Sequence, residues 1–264
     1  MKRLVAGSWV GELGWELMSW QGYLRKRAED HEEVVVCGPS GHECLYSDFS
    51  TQYIVYDHSG MRDCWWTRKG TADHTAINLQ LEQMGGTRIK PTRFSIDEQK
   101  FIKFGNTSHE LLTDVLVHAR APFGTRPGHA WPIDHWEMLI EGLARAGLTV
   151  AAIGSADGAM CLKGAQDWRG MPMQKLMNAM ASTRLVVGPS SGPMHLASLC
   201  GTPHLVWTDQ VWYSAIRATN RRRYESIWNP LSTPCRVLDT QGWMPLPSCV
   251  LSETLGCLER FGRN

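Results

Sequence analysis

The stretch Arg184-Leu-Val-Val-Gly-Pro-Ser-Ser-Gly-Pro-Met-His-Leu-Ala-Ser-Leu-Cys-Gly-Thr-Pro203 has the residue types of an anion site. An apolar strand runs into a turn of Gly, Pro and Ser, and small residues then open a helix. Free N–H groups at a helix start, with the helix dipole behind them, attract phosphate. Ser190, Ser191, Gly192 and Met194 would bring a phosphate close to the backbone, and His195 on the first helical turn would reach the same anion. The same residues also suit an ordinary capped helix with a locally satisfied histidine.

Other chemistries lack their residues. There is no H-E-x-x-H, no D-x-D and no G-x-x-x-x-G-K-[ST] loop, so neither a metal, a cofactor nor a P-loop nucleotide site is expected. The eight cysteines fall at neither C-x-x-C nor zinc spacing and read as reduced thiols, with a disulfide framework as the alternative. Arg217, Arg221, Arg222 and Arg223, with Trp and Tyr nearby, would suit either a phosphate track or a solvated face. The twelve tryptophans would serve as core filler or as stacking platforms for sugar rings or bases.

Positioning the glycine-rich turn requires strands and helices in alternation, and the chain supplies two such series. Leu4–Ala6 reads as a strand, followed by the loop Gly7–Gly14 and a helix with Leu13, Leu17, Trp20 and Leu24 on one face. Val34–Gly38 and Tyr53–Asp57 read as further strands, while Cys64–Phe104 carries no clear pattern. The second series runs through strands Val115–His118, Thr149–Ile153, Arg184–Gly188 and His204–Trp207. Its helices are Pro132–Ala146, Met173–Ser182 and one opened by Ser190, and Ser252–Phe261 is a terminal helix. Such βαβ grammar predicts an α/β fold of two Rossmann-like domains with parallel sheets facing a cleft. The boundary is expected at 113/114, with the terminal helix able to pack back on the first domain.

A formal charge of +1 gives no overall reason to expect nucleic acid or membrane. No run of about 18 apolar residues exists, and the N-terminus lacks the apolar core of a signal peptide. A cytoplasmic protein is expected.

The 184–203 segment resembles the nucleotide-sugar site of glycosyltransferase family 9, the heptosyltransferase-like enzymes of GT-B fold. The likeness extends back through Val117-His118, the Trp131-Pro132 helix start, Thr149–Gly154 and Asp167–Gly170, covering about Val115–Trp207. It implies transfer of a sugar from a nucleotide-sugar donor to a hydroxyl acceptor, a saccharide or glycan, by an inverting, metal-independent route.

In the N-terminal half, Ser8-Trp9-Val10-Gly11-Glu12 matches the family's S-x-x-G-D run and puts Glu12 in the position of the catalytic Asp. Glu12 is then the expected general base, with Glu16 in reserve and Ser8, Trp9 and Gly11 beside the acceptor. A first-turn carboxylate that merely stabilises the helix dipole is the alternative. Two departures stand out. Ser190 replaces a family Asp. The Lys that precedes the Trp-Pro pair is absent, leaving Arg120, Arg126 and His129 to neutralise the leaving diphosphate, or as solvated loop residues. A glycosyltransferase of hydroxymethylated DNA and a non-catalytic nucleotide-sugar-binding module are the competing expectations.

Overall fold

The computed structural model describes residues 2–57, 72–92, 95–122, 129–209 and 220–261. They divide into two compact units, Met1–Ile102 and Lys103–Asn264.

In unit 1, β1 (Arg3–Ala6) leads into α1 (Leu13–Trp15), a π-helical turn (Glu16–Trp20) and α2 (Gln21–Ala28). β2 (Glu33–Gly38), β3 (Gln52–Val55), α3 (Ala72–Gln83) and β4 (Thr87–Ile89) follow. The strands form a parallel sheet in the order β3-β2-β1-β4. Val34, Val35 and Val36 are all buried, as both faces of a covered parallel sheet require.

One face packs Val5, Val35, Cys37 and Leu81 with Ile77 of α3. Of the expected stripe, Leu17, Trp20 and Leu24 are fully buried, while Leu13 at its start is half-buried. The stretch is nevertheless not one uniform α-helix. The π turn widens the backbone ring, and Gln21 Nε2–H caps the Leu17 carbonyl at 2.9 Å. Insertions of this kind recur at functional sites.

Unit 2 contains β5 (Val115–Val117), α4 (Ile133–Arg145), β6 (Val150–Ala152), β7 (Gln166–Asp167), α5 (Met173–Ser182) and β8 (Leu185–Pro189). α6 (Gly192–Leu199), β9 (His204–Asp209), α7 (Asn220–Ser226), β10 (Cys235–Thr240) and α8 (Pro247–Phe261) complete it. Its strands are parallel in the order β10-β9-β8-β5-β6-β7. Counted within the unit this is 3-2-1-4-5-6 read from the β7 edge, the doubly wound dinucleotide-binding order. Unit 1 repeats its first four positions.

Trp131, Trp136 and Trp207 lie at the centre of the unit 2 core, joined by Val250, Cys257 and Leu258 of α8. The terminal helix therefore packs on its own unit. The division at 102/103 also lies earlier than the expected 113/114. Residues 104–108 are tied to α5 and α6: Phe104 N–H bonds the Leu199 carbonyl, Asn106 N–H the Asn178 side chain and Ser108 N–H the Ser182 hydroxyl. Among the described residues no helix is long and apolar enough to cross a membrane, and every described cysteine is a free thiol.

Candidate functional site

In unit 2 the strand order reverses between β5 and β8, and open α/β sheets bind ligands outside the carboxyl ends of strands at such a point. His118 leaves β5 there, its N–H bonded to the Val187 carbonyl at 2.9 Å. Ser190 leaves β8, with its N–H on the Trp207 carbonyl at 2.9 Å. The Ser191 hydroxyl lies 2.9 Å from both His118 Nδ1 and the Pro189 carbonyl. With its single proton donated to Pro189, Ser191 accepts the Nδ1–H of His118. Burial, and secondarily the charge of Arg120, pushes the His118 pKa down to about 3, so the ring is neutral at physiological pH.

The start of α6 offers fewer donors than a bare helix end. Pro193 has no N–H, and the Met194 and His195 amides already bond the Ser191 carbonyl, each at 3.1 Å. Among the described residues the Ser191 and Gly192 amides make no hydrogen bond, and both residues are half-exposed. They are the donors left for an anion.

The remaining residues expected at the phosphate separate. His195 is 8% exposed and packs its ring on Tyr224 and Trp228, 5.4 and 5.2 Å between centroids. Burial and the neighbouring His204 hold its pKa near 3, so it is a neutral packing ring. Among the described residues its Nδ1, His204 Nε2 and the Tyr224 hydroxyl are buried and make no hydrogen bond. Met194 is fully buried beneath the turn.

His129 is buried and stacked on Trp243 at 4.1 Å. Arg120 is half-buried, bridged to Ala159 and close enough to His118 to act on it. Arg126 and Arg217 lie outside the described residues. Arg221 pairs with Asp239 at 2.7 Å, and Arg223 is buried over Trp228, so these two arginines tie α7 to its surroundings.

Unit 1 has the same reversal between β1 and β4, and the loop after β1 occupies it. Gly7 N–H bonds the Ile89 carbonyl at 3.2 Å, and Trp9 N–H bonds Cys37 at 3.0 Å. Trp9 stacks on Trp20 at 5.8 Å, with its Nε1–H on the Gly11 carbonyl at 3.1 Å. Trp9, Trp20, Trp131, Trp136 and Trp207 are all fully buried, so these tryptophans are core rather than sugar platforms. Ser8 is 1% exposed, and among the described residues its hydroxyl makes no hydrogen bond.

Glu12 is half-buried and immediately precedes α1, its carbonyl accepting the Trp15 and Glu16 amides. Glu16 is fully buried. Its Oε1 accepts the Tyr46 hydroxyl and its Oε2 pairs with His42 Nδ1, both at 2.7 Å. Among the described residues no group of three or more His, Cys, Asp or Glu side chains could hold a metal.

His118 and His42 were not singled out from the sequence. The available signal is position: each polar residue follows an apolar strand directly, or through a Gly-Pro-Ser-Gly turn, in βαβ grammar.

Residues 118–206 match the model described as glycosyltransferase family 9 (heptosyltransferase), the family whose motifs were read over Val115–Trp207. No curated protein matches the chain. Among solved structures, a glycosyl transferase family 9 protein from Veillonella parvula shares 13% identity over 98% of this chain and 97% of its own, with a TM-score of 0.62. Escherichia coli ADP-heptose LPS heptosyltransferase II shares 16% over 98% and 99%, at 0.56. E. coli heptosyltransferase WaaC with ADP-2-deoxy-2-fluoro heptose shares 12% over 98% and 99%, at 0.57. At these identities the likeness is one of fold, and it agrees with two Rossmann-like units of the GT-B kind.

Proposed function

Taking the chain as a glycosyltransferase family 9 protein over residues 118–206, we propose that it moves a sugar from a nucleotide-sugar donor to a hydroxyl of a saccharide or glycan acceptor. The observation that carries this reading is the unit 2 switch point, where the Ser191 and Gly192 amides and the neutral His118 surround one helix start. A nucleoside diphosphate laid there meets backbone donors and the positive end of α6. Heptosyltransferase is the name of the matched family; which sugar this chain carries is a matter for the donor screen below.

The reaction is an inverting displacement. The acceptor oxygen bonds to the anomeric carbon as the bond from that carbon to the diphosphate oxygen breaks, and the hydroxyl proton passes to Glu12. The departing diphosphate carries its new charge to the α6 amides, with Arg120 as the nearby cation. Fixed donors aimed at developing charge stabilise the transition state without a metal.

A thermal-shift screen of ADP-, UDP- and GDP-sugars tests the donor site, because a ligand at 100 times its dissociation constant adds about 2.7 kcal/mol. Stabilisation by one base class is expected, and no response to any of them would sink the reading. Turnover should persist in chelator; activity lost there and restored by magnesium or manganese would overturn the metal-free route.

A further inference from the structure

The Glu16–His42 pair has no part in the donor site, yet it is built as a functional pair rather than as a surface contact. Glu16 sits on the π turn, fully buried, with both oxygens bonded. A carboxylate with no exposure needs such partners, because an unpaired buried charge is strongly destabilising. Tyr46, whose pKa burial and then the Glu16 charge push well above its ordinary value, stays a phenol and donates permanently. His42 is therefore held by Nδ1 at 2.7 Å, while its Nε2 makes no hydrogen bond among the described residues and the side chain remains 12% exposed. A ring fixed through Nδ1–H on a buried carboxylate presents a lone pair at Nε2.

The topology brings the turn that carries His42 and the loop of Glu12 to the carboxyl ends of two adjacent strands. β1 and β2 are adjacent and parallel, Trp9 N–H bonds Cys37 across their carboxyl ends, and His42 follows β2 through the turn at Pro39–Gly41. Glu16 N–H bonds the Glu12 carbonyl, so one helical turn joins Glu12 to the carboxylate that holds His42. We propose that His42 binds the saccharide acceptor, accepting a hydrogen bond from one of its hydroxyls at Nε2, with Glu16 as the positioning residue. The inference rests on the glycosyltransferase reading and assigns the acceptor contact within unit 1.

The groups facing the ring are Glu16 and, behind it, Tyr46 with Arg25 and Tyr53; Glu43 and Cys44 lie beside it in sequence. Replacing Glu16 by Gln keeps an acceptor for Nδ1–H and an amide for the Tyr46 oxygen, but exchanges the bond to a carboxylate for a weaker neutral one.

The experiment uses the full chain labelled with 15N-histidine, titrated with methyl glycosides of glucose, galactose and mannose, with and without ADP, UDP or GDP. The His42 Nε2 resonance should move saturably with at least one glycoside. In Glu16→Gln the His42 Nδ1 resonance should shift as its bond to a carboxylate becomes a neutral one, and the apparent glycoside affinity should weaken by up to about tenfold because the ring is held less firmly. A wild-type resonance that no glycoside moves, or unchanged affinity and Nδ1 resonance in Glu16→Gln, would overturn the inference. If Glu16→Gln does not fold, the wild-type titration still decides. A protein that no sugar nucleotide stabilises counts against the transferase reading; a silent His42 in a protein that binds one counts against this inference alone.

Discussion

Ser191 Oγ lies 2.9 Å from His118 Nδ1, and that one bond joins the ends of β8 and β5 where the strand order of unit 2 reverses. It fixes the turn whose Ser191 and Gly192 amides remain as anion donors. The two demands on this position can be separated by Ser191→Asp. Aspartate is a good residue at a helix start and interacts favourably with the dipole, by about 0.3–1 kcal/mol. The same charge repels a diphosphate. The melting temperature should hold or rise while affinity for the stabilising sugar nucleotide drops about tenfold or more, a factor of ten being about 1.4 kcal/mol. Calorimetric titration beside a thermal melt reads both, and unchanged affinity would move the donor elsewhere.

Acid should destabilise unit 2 steeply. Burial holds His118 and His195 near pKa 3 and His204 near 4, all below the unfolded value of about 6.5. The folded state therefore binds fewer protons than the unfolded state as pH falls below about 6.5. Stability present above that pH is lost on the way down to the folded values. Each histidine contributes at most about 1.4 kcal/mol per pH unit. Urea midpoints measured at pH 7 and pH 5 should fall sharply; a flat profile would mean the rings gain partners when charged.

Much of this arrangement was legible in the residues, because parallel sheets write themselves as apolar runs between helical periods. Met173–Ser182 forms the expected helix residue for residue, and Leu185–Pro189 and Gly192–Leu199 form the expected strand, turn and helix. The N-terminal loop Gly7–Glu12 likewise falls at a strand end. What could not be read was the direction of polar side chains. His195 on a first turn looks like an anion ligand until Tyr224 and Trp228, from a later helix and loop, close over it. Glu16 looked like a spare base because its partners, His42 and Tyr46, are supplied from beyond β2 by tertiary contact. The basic run at 221–223 looked solvated or ligand-facing, yet Arg221 pairs with Asp239 on β10, a strand the sequence pattern did not mark.

The approach of the first loop to β2 leaves no room at Gly7. Its φ is +124°, and a Cβ there would lie 2.4 Å from the Cys37 carbonyl oxygen. Gly41 also has a positive φ, +79°, but nothing lies within 4 Å of its would-be Cβ. Gly41→Ala should therefore show the backbone penalty alone, about 1–2 kcal/mol. Gly7→Ala adds a clash with backbone that no rotamer relieves, and its loss of stability in urea should be clearly larger. Equal losses would mean the loop shifts without resistance.

Glu12 and Glu16 differ in what a carboxylate-to-amide change should do, and that difference tests the proposed mechanism. Glu12 is half-buried at the carboxyl end of β1, whereas Glu16 is fully buried with both oxygens engaged. If Glu12 takes the acceptor proton, Glu12→Gln keeps the fold and the donor affinity because the amide is nearly isosteric. Its rate should drop by about 100- to 10,000-fold, the usual worth of general-base catalysis. The proton moves in the transition state, so the loss belongs in kcat and not in KM alone. Glu16→Gln should instead act mainly on the acceptor, raising its KM by up to about tenfold because a neutral amide holds the His42 ring less firmly than the carboxylate, with a much smaller fall in kcat. Steady-state kinetics on both variants, with donor and acceptor varied separately, make the comparison. A Glu12→Gln enzyme within about threefold of wild type, or a larger kcat loss in Glu16→Gln, would transfer the base role away from Glu12.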